Sequence, residues 1–166
     1  MMKTLILMLC AAALCLSGCE NGSVRRPEQA SAEVYTKAAE NPLCTVRITA
    51  GDTVLTGVLF DNETAREFAA RLPLTVPLWE PAEFAKAFDL IVPLSEPEEL
   101  AWDYVAGGLA YWHAGPSVAV FHGADRGRTV VPIAPIGLIS EDVGLFADYL
   151  DEIIIERVEE KDSRKE

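Results

Sequence analysis

The stretch CTVRITAGDTVLTGVLFDNETAREFAARLPLTVPLW, residues 44–79, decides the fold. Its periodicity changes twice. Val46, Ile48 and Ala50 alternate with Arg47 and Thr49, which is the period of a half-buried strand. Gly51-Asp52 is a turn signal and TVLTGVLF resumes the β-rich pattern, so the two runs form a hairpin. After Phe60 the period becomes helical. Asp61 or Asn62 caps the N-terminus, Glu63 lies in the first turn, and Ala65, Phe68, Ala69 and Leu72 fall at i, i+3, i+4 and i+7. Glu67 and Arg71 pair on the wet face of this helix. From Leu72 onward the period returns to two. Leu72, Leu74, Val76 and Leu78 alternate with Pro73, Thr75, Pro77 and Trp79. Two prolines on one face donate nothing to a ladder, so this strand belongs at an edge.

The remainder extends the same plan. GLAYWHAGPSVAVFHG, residues 108–123, reads as a second hairpin with Gly115-Pro116 at its tip, and TVVPIAPIGLI, residues 129–139, as another β-rich run. Ser140 is expected to cap a second helix bearing the stripe Val143, Phe146, Ala147 and Leu150, and EIIIERVEE, residues 152–160, a last strand. Residues 80–107 carry prolines at 81, 93 and 97, and predict loops with one helical turn near Ala82–Phe88 and a strand at Leu90–Pro93. The count is seven or eight short strands and two short helices. Such a sheet needs its edges closed or covered, so the expected fold is mainly β, a small closed antiparallel β-barrel with the helical stripes packed on it.

Composition narrows the function classes. The chain has 166 residues, half of them apolar, and a formal net charge of −12. That charge repels phosphate backbones and excludes a nucleic-acid role. It also gives no help in approaching anionic lipid headgroups. Membrane attachment is expected from the N-terminus instead. In MMKTLILMLCAAALCLSGCENGS, Lys3 supplies a positive start and Leu5 to Leu16 an unbroken apolar run. The run is shorter than the roughly 20 residues of a spanning helix and suits a secretory signal. It ends in Leu16-Ser17-Gly18-Cys19, which is similar to the bacterial lipobox. There a peptidase cuts before the cysteine and the thiol carries the lipid. Residues 1–18 are thus expected to be a lipoprotein signal peptide, Cys19 the lipidation site, 19–42 a flexible tether, 43–158 the folded domain and 159–166 a polar tail. A short helix around Ala30–Ala39 fits within the tether. Such a protein sits in the bacterial cell envelope, held on a membrane by acyl chains worth about 0.8 kcal/mol per buried methylene. Cys10 and Cys15 leave with the signal, so Cys44 remains without a disulfide partner and reads as a small buried hydrophobe.

Few residues look catalytic. The only histidines are His113 and His122. Pairing His113 with Val118 and Leu109 with His122 places the imidazoles about 13 Å apart on one face, too far to share a metal. His113 beside Tyr111 and Trp112 is expected near a barrel mouth, where a ligand or peptide would be held by Tyr111, Trp112, His113 and Trp79 with help from the 80–107 loop. Ser117 lacks a nucleophile elbow, GADRGRT lacks phosphate-loop spacing, and the acidic pairs Glu98-Glu99, Asp151-Glu152 and Glu159-Glu160 read as solvated faces. No cofactor, metal or catalytic set is assigned.

The segments ITAGDTVLTGVLFDNETAREFAARLPLTVPLWE, GGLAYWHAGPSVAVFHG and PIGLIS together resemble the bacterial cyclophilin-like fold family over about residues 45–158. Its most specific marks are the DNETAREFAARLPLT unit, the strand carrying Gly108, Tyr111 and Trp112, and the Gly137 segment. The resemblance implies a compact cyclophilin-type barrel. True cyclophilins are peptidyl-prolyl isomerases whose Phe-His-Arg and Phe-Met-x-Gln-Gly-Gly stretches are absent here, and Arg47, Arg66 and Arg126 match no catalytic arginine by motif. The fold therefore transfers and the activity does not. The expected function is a lipid-anchored binding or accessory module for a small molecule or peptide. The alternatives are a weak prolyl isomerase and an accessory to a flavodoxin-like redox partner.

Overall fold

A computed structural model describes residues 27–123 and 126–159. The expected signal peptide, the expected lipidation site Cys19 and most of the expected polar tail lie outside the described residues. The chain runs through α1 (Pro27–Glu40), β1 (Pro42–Ala50), β2 (Thr53–Phe60), α2 (Glu63–Ala69), β3 (Leu74–Pro77), β4 (Trp79–Ala82), β5 (Ala85–Asp89), β6 (Ala101–Val105), β7 (Gly108–Trp112), β8 (Ser117–Phe121), β9 (Arg126–Ile139), a single 3₁₀ turn at Gly144–Ala147, and β10 (Glu152–Arg157). Among the described residues no helix is long and apolar enough to cross a membrane.

The opening stretch folds as its periodicity dictates. Ala50 pairs with Thr53 across Gly51-Asp52, and Gly51 adopts φ +58°, which a side chain would resist. Asn62 is the cap of α2: its Oδ1 accepts from the Ala65 amide at 2.8 Å. Ala65, Phe68 and Ala69 are buried and Leu72 half-buried, as the stripe requires. Fully burying a side chain the size of Phe68 stabilises the fold by about 1.5–3 kcal/mol.

Ten antiparallel strands share one sheet in the order β3-β10-β1-β2-β9-β7-β8-β5-β4, with β6 pairing the first half of β9. The expected closed barrel is corrected here, because no hydrogen-bonded ladder joins the end strands β3 and β4. They are continuous through Leu78 alone, so the sheet curls back on itself while its ladder stays open. Joined by a single residue, the two strands run on from one another and cannot pair side by side, and Pro73, Pro77 and Pro81 supply no N–H along this seam. The main core lies inside the curl, where Phe68, Phe88, Tyr111, Ile136 and Phe146 meet. A second cluster lies on the outer face, where β6 folds over and Tyr104 stacks on Phe121 at 4.4 Å and on Phe84 at 5.0 Å.

Four local expectations are overturned. Ala82–Phe88 is not a helical turn: Ala85–Asp89 is β5, buried on both faces from Ala85 to Phe88, so its sequence carries no alternation to betray a strand. The strand expected at Leu90–Pro93 is irregular. The helix expected after Ser140 is one 3₁₀ turn whose cap position, Val143, makes no side-chain cap bond. Val143 and Phe146 of its stripe are buried, whereas Ala147 and Leu150 are exposed. In the second hairpin Tyr111, not His113, faces Val118, and Trp112 faces Ser117, which leaves the loop His113–Pro116.

The helix expected around Ala30–Ala39 is α1, spanning Pro27–Glu40 within the stretch assigned to the tether. It docks through Tyr35, which is 1% exposed and meets Phe60 edge-on at 5.7 Å. A side chain at Gly108 would stand 2.9 Å from the Tyr35 ring, so glycine there permits the docking.

Candidate functional site

The residues expected to form a ligand site cluster at one end of the sheet, but the polar groups of Tyr111 and Trp79 are bonded to other parts of the protein. Tyr111 is fully buried; its hydroxyl accepts from the Leu94 amide at 3.1 Å and donates to the Leu94 carbonyl at 3.4 Å. Trp112 is half-buried over Gly115. His113 is exposed in the tip loop, its ring edge-on to Tyr111 at 6.1 Å. Trp79 is partly exposed and donates from Nε1 to Asp89 at 3.1 Å. The loop after β5 joins this end, with the Leu90 amide donating to the Pro116 carbonyl at 2.8 Å. Arg71 donates to the carbonyls of Val92 and Pro93, and Glu67 accepts from the Ser95 amide at 3.0 Å. Hydrogen bonds from Ser95 hold the Glu67 carboxyl below the usual carboxylate range. The result is a rigid tip.

His122 lies beyond the other end of β8 from His113, beside a charged group that periodicity did not flag. Lys86 sits on β5 opposite Val120, on the core face, and is 1% exposed. Its ammonium donates to Glu80, and that bond holds the Glu80 carboxyl below its usual range. His122 is half-buried, yet its Nε2 is sealed from solvent without a hydrogen-bond partner. Burial first, and Lys86 second, push the imidazole below its ordinary value. This cluster is an ion pair with a neighbouring imidazole. Among the described residues no group of three or more His, Cys, Asp or Glu is placed to hold a metal ion. Cys44 packs partly buried against the core, and burial pushes its thiol up.

Open space is found elsewhere. A cleft of about 550 Å³ separates α1 from the β2–α2 junction and the middle of β9. Its apolar wall is Val34, Ala38, Phe60, Ala134 and Pro135. Its rim carries Lys37 from α1, Asp61, Glu63 and Arg66 from the start of α2, and Glu98 and Glu99 from the loop before β6. Two interactions set its shape. The Asn62 side-chain amide donates to the Pro135 carbonyl at 2.9 Å, which ties the start of α2 to β9. Arg66 and Asp61 form an ion pair at 2.7 Å. Thr64, in the first turn of α2, lines the cleft while only 9% exposed. None of Tyr111, Trp112, His113 or Trp79 reaches it. Sequence reasoning missed this cleft because its walls come from four separate segments of the chain. Glu98-Glu99 had carried only the signature of a solvated face, and the one local signal was the Asn62 cap.

Comparison with known proteins agrees with the fold. The model of the Cyclophilin-like family matches residues 48–155. A solved structure, the solution structure of a hypothetical protein from Archaeoglobus fulgidus, superposes with a TM-score of 0.58 at 22% identity, covering 72% of this chain and 98% of that one. At that identity the likeness speaks for the fold alone. No match was found among curated proteins.

Proposed function

The chain belongs to the cyclophilin-like family, and from that premise we propose that it is a binding module, held on a bacterial envelope membrane by lipid on Cys19, whose ligand enters the cleft beneath α1. The cleft carries this reading: it joins an apolar wall to a charged rim in a volume suited to a small molecule. The tip aromatics support the frame of the domain and leave ligand contact to the cleft. An isomerase needs an arginine free to polarise a twisted amide, and the arginine of this cleft is held by Asp61 at 2.7 Å. Binding without turnover is therefore the better reading. Attachment rests on the register of Lys3, the apolar run and Leu16-Ser17-Gly18-Cys19.

Two measurements test the two halves. Metabolic labelling with an alkyne fatty acid should mark the full chain and not Cys19→Ala, and the variant should leave the membrane fraction. An unlabelled wild-type chain overturns the anchor. For the cleft, a thermal-shift screen of small metabolites should yield binders whose shift disappears in Ala38→Trp, a substitution that fills the cleft from α1. Shifts that survive Ala38→Trp place the ligand elsewhere.

A further inference from the structure

The charges on the cleft rim do not balance, and one hydroxyl in its wall has no partner within the described residues. Asp61 and Arg66 neutralise each other. Among the described residues, Glu63, Glu98 and Glu99 then face Lys37 alone. Thr64 is nine-tenths buried, lines the same cleft, and its hydroxyl makes no hydrogen bond within the structure. That hydroxyl is not sealed from solvent, so it is open to the cleft and free to bond a ligand. As it lies within an acidic rim, it is best completed by a donor.

We infer that the cleft takes a small organic cation, an ammonium or guanidinium group on an aliphatic stem; this rests on reading the cleft as the ligand site. The cation's N–H groups would donate to the Thr64 hydroxyl and to the carboxylates of Glu98 and Glu99. The stem would lie on Phe60, Ala134 and Pro135. An anion would meet uncompensated carboxylates, and a neutral polyol would leave the rim charges without a counter-charge. A bare metal ion lacks a ligand set among the described residues. The net charge of −12 draws cations toward the whole molecule.

The test is isothermal titration of the full chain in detergent micelles at low salt with agmatine, spermidine, a capped Ala-Arg-Ala tripeptide, glutarate and pentanol. At least one of the three cationic probes should bind, and the affinity should fall as salt rises. Glu98→Gln with Glu99→Gln should weaken that probe about 10-fold, and Thr64→Val about 3- to 10-fold. Lys37→Gln should strengthen it by about 3-fold. Agmatine or spermidine binding without the tripeptide identifies a free amine as the source, and the reverse identifies a peptide side chain. The inference falls if glutarate or pentanol binds as tightly as the cations, or if the double glutamine variant binds the cation unchanged. If no cation binds while Ala38→Trp still abolishes another ligand, the ligand class is wrong and the cleft reading survives. If Ala38→Trp abolishes nothing, both fall.

Discussion

The tip of the second hairpin and the cleft beneath α1 meet through the β7–β9 ladder, where Tyr111 pairs with Ala134, and differ in how their polar groups are spent. At the tip, Tyr111, Trp79 and Arg71 all bond within the protein, and the Leu90 and Leu94 amides are taken. In the cleft, three carboxylates face one lysine among the described residues, and the Thr64 hydroxyl is left open without a partner. Aromatic side chains in a β-rich domain are recruited first by the core, because each buries a large apolar area and offers a single polar handle that the backbone can satisfy. Unspent hydrogen-bonding capacity marks a ligand site better than residue type does.

The largest expected effect tests the tip as framework. Tyr111→Ala should lower unfolding free energy by about 3–5 kcal/mol, through lost burial and the cavity left behind. Tyr111→Phe keeps the packing and strands the Leu94 amide, so it should cost about 1–3 kcal/mol. Both are read from urea denaturation at unchanged m-value. A loss under about 0.5 kcal/mol for Tyr111→Ala would return this residue to the candidate ligand set. Thr64→Val, by contrast, should leave stability within about 0.5 kcal/mol while altering binding.

A smaller effect tests the join between α2 and β9. Asn62→Ala removes both the cap bond to Ala65 and the bond to the Pro135 carbonyl. It should cost about 1–2 kcal/mol and also weaken any cleft ligand, because the rim carboxylates on α2 lose their fixed position. Asn62→Asp keeps an acceptor for the cap but no donor for Pro135. It should recover most of the stability and not the binding. Equal recovery of both would mean that the bond to β9 does not shape the cleft.

What the sequence made legible follows from range. The β1–β2 hairpin, the stripe and cap of α2 and the edge position of β3 are each decided within about a dozen residues by period, turn chemistry or proline. Strand β5 was illegible because Ala85, Lys86, Ala87 and Phe88 are all buried, so neither face reads as polar. The β7–β8 register is not decided by the sequence, because the four-residue loop His113–Pro116 and a loop one residue further on fit the same hydrophobic run. The reach of α1 into the domain hinges on one side chain, Tyr35, in an Ala- and Glu-rich segment with little apolar stripe. The cleft combines residues 34–41, 60–66, 98–99 and 134–135, and no local pattern encodes such a meeting.

Acid should weaken the fold through His122, away from both regions. Its folded-state value lies below the ordinary one, so the unfolded chain takes up the proton more readily. Stability from this group is complete above about pH 6.5 and falls as pH drops through the window between the unfolded and the folded values. Glu80, whose carboxyl is held low by Lys86, contributes in the same direction at still lower pH. Thermal melts between pH 7.5 and 5.5 should therefore show a falling midpoint in the wild type and a shallower fall in His122→Gln. An identical slope in the variant would mean that the sealed Nε2 is solvated or paired in solution.

The smallest expected effect separates stiffness from binding at the tip. Ile91 and Val92 are 102% and 63% exposed on a loop whose neighbours Leu90 and Leu94 are buried and whose carbonyls Arg71 holds. The fold gains little from their side chains, since Ile91 stays in water and Val92 keeps most of its surface there. Ile91→Ser and Val92→Ser should each change unfolding free energy by less than about 0.5 kcal/mol and leave any cleft ligand unaffected. The same substitutions should raise solubility by removing exposed apolar surface. A measurable loss of ligand affinity in either variant would bring the tip back into the binding surface, and would erase the division between a framework end and a ligand end on which the comparison of the two regions turns.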